Sequence, residues 1–168
     1  DNIDLLALRA KCAGKLMAFN EAISAYNKII SLEPSASNFI KFADLYLMAK
    51  ESKLAQKMLD KAISLGDDST ARYELACKLA RLENNTEEIK QNATLLLAKS
   101  SSASIAWQSI IEVANTNELM SLSTKLSLEV EQTHSSTFEK VQNLYTLGKA
   151  YEKQQKFDKA FSQFTQAN

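Results

Sequence analysis

The chain has 168 residues, 20 basic and 20 acidic, for a formal net charge of +0, so no global field draws it to nucleic acid or to an anionic membrane. That length suffices for one compact domain or one short solenoid that folds without disulfide or metal staples. Three glycines and one proline fall far below the ordinary usage of about 7% and 5%, which removes the punctuation of sheets and nucleotide-binding turns and leaves helices.

Apolar spacing and capping residues predict ten helices in chain order. They are expected over 3–16 and 20–32, closed by Pro34, then 36–49 and 52–65, closed by Gly66, with Ser52 as an N-cap. Next come 70–82 and 86–98, with Thr86 as an N-cap, then 103–115 and 117–130, and last 137–154 and 157–167. The polar segment Thr133-His134-Ser135-Ser136 is expected to be a loosened joint before the last pair. Cys12 and Cys77, each among alanines or leucines, read as small buried packing residues. Trp107 and most other aromatics fall at core spacing. No apolar run approaches the roughly 20 residues of a membrane helix, and no basic segment leads into an apolar signal core. The start on Asp1 rather than Met leads to the expectation of a piece of a longer chain, placed in the cytoplasm.

An internal repeat sets the organisation. Ala10, Ala22, Tyr26 and Pro34 are separated by 12, 4 and 8 residues, and Ala43, Ala55, Leu59 and Asp67 by the same steps. Near the far end, Gly148, Ala160 and Phe164 repeat the first two steps. The same register places Cys77, Ile89 and Ala93 in a third unit and Ile111, Ser123 and Ser127 in a fourth. Second-helix anchors are therefore 33, 34, 34 and 37 residues apart. Helices cross closely only where one offers Gly or Ala to the other, and a large residue one turn later fills the adjoining groove. Such hairpins bury one face internally and need a neighbour for the other. The expected organisation is a single helical repeat domain over 1–168, with repeats near 3–36, 37–69, 70–102, 103–136 and 137–168.

Leu144-x2-Leu147-Gly148-x2-Tyr151, followed by Ala160-x3-Phe164, resembles the tetratricopeptide repeat pattern W-x2-L-G-x2-Y…A-x3-F, with Leu144 in the tryptophan position. Phe19, Ala22, Tyr26 and Pro34 resemble the second helix of the same unit. The resemblance implies an all-α fold, an α-α superhelix of about five hairpins, acting as a non-catalytic scaffold whose concave face, lined by first helices, holds a peptide or partner domain. Family members that clamp chaperone carboxyl termini use an asparagine where this chain has Lys11, so that specialised role is not expected here.

Residues one place and one turn beyond each small packing residue are the expected concave-face contacts. These are Lys11 and Lys15, Asp44 and Met48, Lys78 and Arg81, Glu112 and Asn115, and Lys149 with Lys153, joined by Tyr145. Their basic excess suits an acidic peptide through charge-assisted hydrogen bonds. The partner is expected to be a protein or peptide, with neither nucleic acid nor membrane, and weak self-association is expected through Phe157, Ala160, Phe161 and Phe164 of the last helix. No chemistry is encoded alongside. His134 is the sole histidine, with no companion ligands or triad partners, and Gly14, Gly66 and Gly148 are isolated rather than clustered in a phosphate loop. No catalytic residue, metal or cofactor is expected. The stretch from Leu147 to Asn168 also resembles the last repeat before the catalytic domain of bacterial tetratricopeptide–sulfotransferase fusions. In that alternative, any sulfate transfer belongs to chain beyond Asn168.

Overall fold

The computed structural model describes residues 2–132 and 137–168. Among the described residues every regular element is an α-helix, and there are ten. The expected joint at 133–136, with His134, lies outside the described residues.

The chain divides into two compact units, Asp1–Leu82 and Glu83–Asn168. The first holds α1 (Ile3–Lys15), α2 (Phe19–Leu32), α3 (Ala36–Met48), α4 (Ser52–Ser64) and α5 (Thr70–Leu82). Helices α1 and α2 form one hairpin, α3 and α4 the next, and α5 lies against both α3 and α4. The repeated small residues explain why: Ala10, Ala22, Ala43 and Ala55 are each at most 1% exposed, so backbones meet where side chains are shortest. One turn on, Tyr26 stacks on Phe42 at 5.3 Å between ring centroids, and Phe42 stacks on Tyr46 at 4.5 Å. That aromatic file, with Leu59, Leu75 and Leu79, forms the core of the unit. The α1 start is capped by Asn2, whose Oδ1 accepts from Asp4 N at 2.9 Å, and the α3 start by Ser35, whose Oγ accepts from Asn38 N at 3.3 Å.

Three helix ends in this unit share one device. After α1 the amide of Ala18 donates to the carbonyl of Ala13 and that of Met17 to Gly14. The same double closure ends α3 at Lys50 and Glu51, and α4 at Gly66 and Asp67. The residue at the bend is left-handed: Met17 at φ 59°, Lys50 at 63° and Gly66 at 80°. Only the last is glycine, which is how the chain turns so often with so few glycines.

The second unit holds α6 (Thr86–Lys99), α7 (Ser104–Val113), α8 (Thr116–Gln132), α9 (Thr137–Lys153) and α10 (Phe157–Ala167). Helix α6 pairs with α7, both α7 and α8 lie against α9, and α9 pairs closely with α10. The span 70–102 thus contributes α5 to the first unit and α6 to the second. Within 103–136, α7 and α8 touch little, because only Ala114 and Asn115 separate them and neither takes the left-handed bend. The core gathers Trp107, Ile111, Leu126, Leu144 and Leu147. Trp107 is buried, as its spacing suggests, and its Nε1 donates to the carbonyl of Ser101 at 2.7 Å. Gln155, φ 59°, closes α9 in the same left-handed way as Met17 closes α1.

Several expectations need correction. Ser52 and Thr86 are first helical residues rather than caps: Glu51 precedes α4 without a side-chain cap, and Asn85 Oδ1 accepts from Glu88 N at 3.3 Å to cap α6. Helix α7 is shorter and α8 longer than expected, since Asn115 and Glu118 form a reciprocal box. Asn115 Oδ1 accepts from Glu118 N, Glu118 Oε2 accepts from Asn115 N, each at 3.0 Å, and α8 starts at Thr116. Of the fourth set of anchors, Ile111 and Ser123 are buried, but Ser127 is only half-buried and Leu126 takes the interior place. Cys12 is exposed, whereas Cys77 is buried. Cys12 follows the wall residue Lys11, about 100° further around α1 and off the packed side.

Candidate partner-binding groove

Two helix faces of the first unit converge on an open groove of about 640 Å³. From α1 come Leu8, Lys11, Gly14 and Lys15, with i, i+3 and i+4 spacing on one face. From α3 come Lys41, Asp44, Leu45 and Met48, again one face, and Tyr26 of α2 reaches the floor. The short side chains of Ala7, Ala10 and Gly14 keep the groove open. Its lining is apolar at the floor and cationic at the rim, because Lys11, Lys15 and Lys41 are exposed and form no salt bridge among the described residues.

Asp44 is the one carboxylate in the lining, and it is engaged. Lys78 on α5 donates from Nζ to Asp44 Oδ1 at 3.0 Å, across side chains that stay 43% and 49% exposed. Such an exposed pair contributes at most about 1 kcal/mol to stability. Its larger effect is to neutralise the carboxylate beside the groove. The Tyr26 hydroxyl is held above its ordinary value by burial first and by the negative charge of Asp44 second, so it remains a neutral donor at physiological pH.

The expected contact residues divide between the two units. Lys11, Lys15, Asp44 and Met48 line this groove, and Lys78 reaches it through Asp44. Arg81 lies half-buried in the last turn of α5, outside the lining. In the second unit, Glu112 and Lys149 are exposed on α7 and α9. Two others there have structural tasks. Lys153 Nζ donates to the carbonyls of Ile111 at 3.0 Å and Glu112 at 2.7 Å, closing the end of α7 where cations are favoured. Tyr145 donates to Asn168 Oδ1 at 2.6 Å and sets its ring 5.8 Å from that of Phe164. Asn115, as described, caps α8. Sequence reasoning missed Lys41, Leu8 and Tyr26. The signal for Lys41 is its place three residues before Asp44, which puts it on the same face, while the repeat spacing of Tyr26 points to the core alone.

A smaller hollow of about 360 Å³ in the second unit is lined by Lys90, Thr94, Ile110, Glu118, Ser121 and Leu122. Its charges satisfy each other. Lys90 Nζ lies 2.7 and 2.8 Å from the two oxygens of Glu118, and this contact foremost, then the Asn115 amide, holds the Glu118 carboxyl below its usual range. The hollow is braced rather than poised for chemistry. Among the described residues no group of three or more His, Cys, Asp or Glu side chains could hold a metal ion, and no helix is long and apolar enough to cross a membrane.

On α10, Phe157 and Phe161 are 65% and 74% exposed. Ala160, named both as a hairpin anchor and with this face, is buried against α9 as the anchor role requires. Phe164 is half-buried, with its ring over Gly148 and beside Tyr145.

No protein-family model and no curated protein matches the sequence. Solved structures do match. The MamA protein shares 17% identity at a TM-score of 0.70, over 98% of this chain and 89% of that one. Pseudomonas aeruginosa PilF shares 13% at 0.76, over 99% and 76%. YrrB, described as a tetratricopeptide repeat protein with an unusual peptide-binding site, shares 16% at 0.66, over 94% and 80%. None of the three is described as a sulfotransferase. At such identities the likeness concerns architecture alone, and together with ten helices among the described residues it establishes that this chain has the all-α fold of tetratricopeptide repeat proteins.

Proposed function

We propose that this chain is a non-catalytic scaffold that binds a peptide or partner domain in the groove between α1 and α3. The observation that carries the reading is the groove itself: a concave apolar floor of Leu8, Leu45 and Met48 between two helices, open to solvent and rimmed by long cationic side chains. Concave, largely apolar lining with a few oriented polar groups is the usual form of a recognition site, and grooves between helices receive extended or helical segments. The tetratricopeptide fold and the peptide-binding site named for YrrB support the same reading. Lys11, Lys15 and Asp44 are the proposed contacts in the groove, with Lys78 acting through Asp44; Arg81 on α5, and separately Glu112 and Lys149 of the second unit, are proposed as contacts in their own right.

The test is a Met48→Glu and Leu8→Glu pair of variants, probed with a mixed peptide library displayed against the purified chain. Binders selected on the wild type should lose most of their affinity to both variants while the helical circular dichroism spectrum is retained. Selected binders indifferent to both substitutions would place recognition elsewhere.

The exposed Phe157 and Phe161 favour a second, weaker interaction, self-association through α10. Sedimentation equilibrium at high concentration should show a dimer fraction that Phe161→Ser removes, and a strict monomer would end this reading.

A further inference from the structure

The chemistry of the groove narrows its occupant. Three ammonium groups, Lys11, Lys15 and Lys41, surround one carboxylate, Asp44, and that carboxylate is already answered by Lys78 at 3.0 Å. The rim therefore presents uncompensated positive charge on a chain whose net charge is +0. The floor beneath it is apolar, with Leu8 and Met48 58% and 50% exposed and Leu45 buried below. A bare polyanion would meet the rim and leave this floor wet, and a plain apolar helix would leave three ammonium groups facing it unanswered. We propose that the occupant is an acidic peptide segment carrying a bulky apolar side chain: carboxylates meet Lys11, Lys15 and Lys41, and the apolar group sits on Leu8, Leu45 and Met48. This inference rests on the groove being the binding surface.

The Asp44–Lys78 pair then acts as a charge balance for the site. Asp44 lines the groove and Lys78 does not, so the pair keeps the one repulsive carboxylate from opposing an acidic ligand. Breaking the pair from either side removes the same contact but changes the groove in opposite senses. Asp44→Asn removes the negative charge and releases Lys78. Lys78→Met leaves Asp44 unanswered beside the incoming carboxylates. Complementary charge of this kind sets selectivity and encounter rate, and it weakens as salt shortens the screening length.

The experiment uses the full chain, labelled with ¹⁵N, and two synthetic peptides of about twelve residues: one alternates Glu or Asp with Leu or Phe, and the other is its Gln and Asn isostere. Exposed ion pairs each change affinity by a few-fold. The acidic peptide should therefore bind about tenfold tighter at low salt, with the contrast shrinking several-fold at about 0.5 M salt, and its amide shifts should map to α1 and α3. Lys11→Glu with Lys15→Glu should reverse the preference. Asp44→Asn should tighten acidic-peptide binding about two- to fivefold and Lys78→Met should loosen it by a similar factor. Equal movement of both variants in one direction would mean that the pair is only structural and would overturn the proposed balance. Equal binding of the two peptides, both weakened by Leu8→Ser, would overturn the acidic preference and leave the groove reading standing. No shift in α1 or α3 from either peptide at about 2 mM would overturn both. Heparin displacing the acidic peptide while ignoring Leu8→Ser would show a bare polyanion site and overturn the proposal.

Discussion

Replacing Gly148 with alanine should destabilise the second unit by about 1–2 kcal/mol, against the direction that helix propensity alone dictates. In an isolated helix the change gains up to about 1 kcal/mol. In α9, a Cβ at this position would lie 2.7 Å from Phe164 Cδ1 and 2.9 Å from Phe164 Cζ, inside van der Waals contact. The ring must move, and it is held 5.8 Å from the ring of Tyr145, whose hydroxyl bonds to Asn168. Overpacking of this kind costs about 1–3 kcal/mol, and losing an aromatic pair a further 0.5–1.5 kcal/mol, roughly. The sum exceeds the propensity gain. Gly14→Ala is the control, because the nearest atom there is the flexible end of Leu45, Cδ1, at 3.2 Å. That variant should stay within about 0.5 kcal/mol of wild type or exceed it. Urea unfolding followed by Trp107 fluorescence reads the first variant, since Trp107 is in the same unit, and circular dichroism reads both. Adding Phe164→Leu to Gly148→Ala should recover part of the loss. A Gly148→Ala chain at least as stable as wild type would refute the close-approach argument.

Three further outcomes follow from particular contacts. Glu118 has its carboxyl lowered from 4.5 by Lys90 and the Asn115 amide, so its contribution is present above that value and fades as pH falls through the lowered folded value. The stability gap between wild type and Glu118→Gln, measured by urea midpoint, should therefore close between about pH 6 and pH 3, and a gap that widens on acidification would contradict it. Lys153→Met should cost about 1–2 kcal/mol through two lost bonds to α7 carbonyls, whereas Lys149→Met should stay within about 0.5 kcal/mol; equal costs in thermal unfolding would dismiss Lys153 as a helix cap. With a thiol reagent at mildly alkaline pH, Cys12 should react at once. Cys77, buried and pushed up to about 11 chiefly by desolvation, should react only in denaturant, and two fast thiols in the folded chain would count against that burial.

The helices were legible because the small-residue steps sit on positions that close packing demands: Ala10, Ala22, Ala43, Ala55 and Ala160 are all buried where the 12-residue spacing put them. Ends were legible to within a residue or two, and the misses have a common cause. Caps such as Asn85 and Asn115 compete with neighbouring Thr, and only the geometry of the amide contacts selects between them. In the fourth repeat, where serine stands in for alanine, the one-residue offset between Ser127 and Leu126 was invisible to spacing. For the groove, periodicity placed Lys11, Lys15, Asp44 and Met48 on converging faces, but a lysine reads the same whether it faces a ligand or a helix end. Lys153 closing α7 shows the difference, since its partners are carbonyls 41 and 42 residues away. Tyr26 belongs at once to the aromatic file and to the groove, which a spacing rule assigns to only one.

The bends at Met17, Lys50 and Gln155 put ordinary side chains in a backbone region that glycine enters freely. Each such residue carries conformational strain on the order of 1 kcal/mol. That strain sits at the surface, at the closed end of a hairpin. The bends at Met17 and Lys50 come two residues after Lys15 and Met48 of the groove lining, whereas Gln155 belongs to the second unit and contributes nothing to that lining. A glycine at Gln155 would relax its bend and leave Lys11, Lys41 and the groove floor as they are. Durability can therefore be adjusted at Gln155 without altering the groove, while a change at Met17 or Lys50 reaches both.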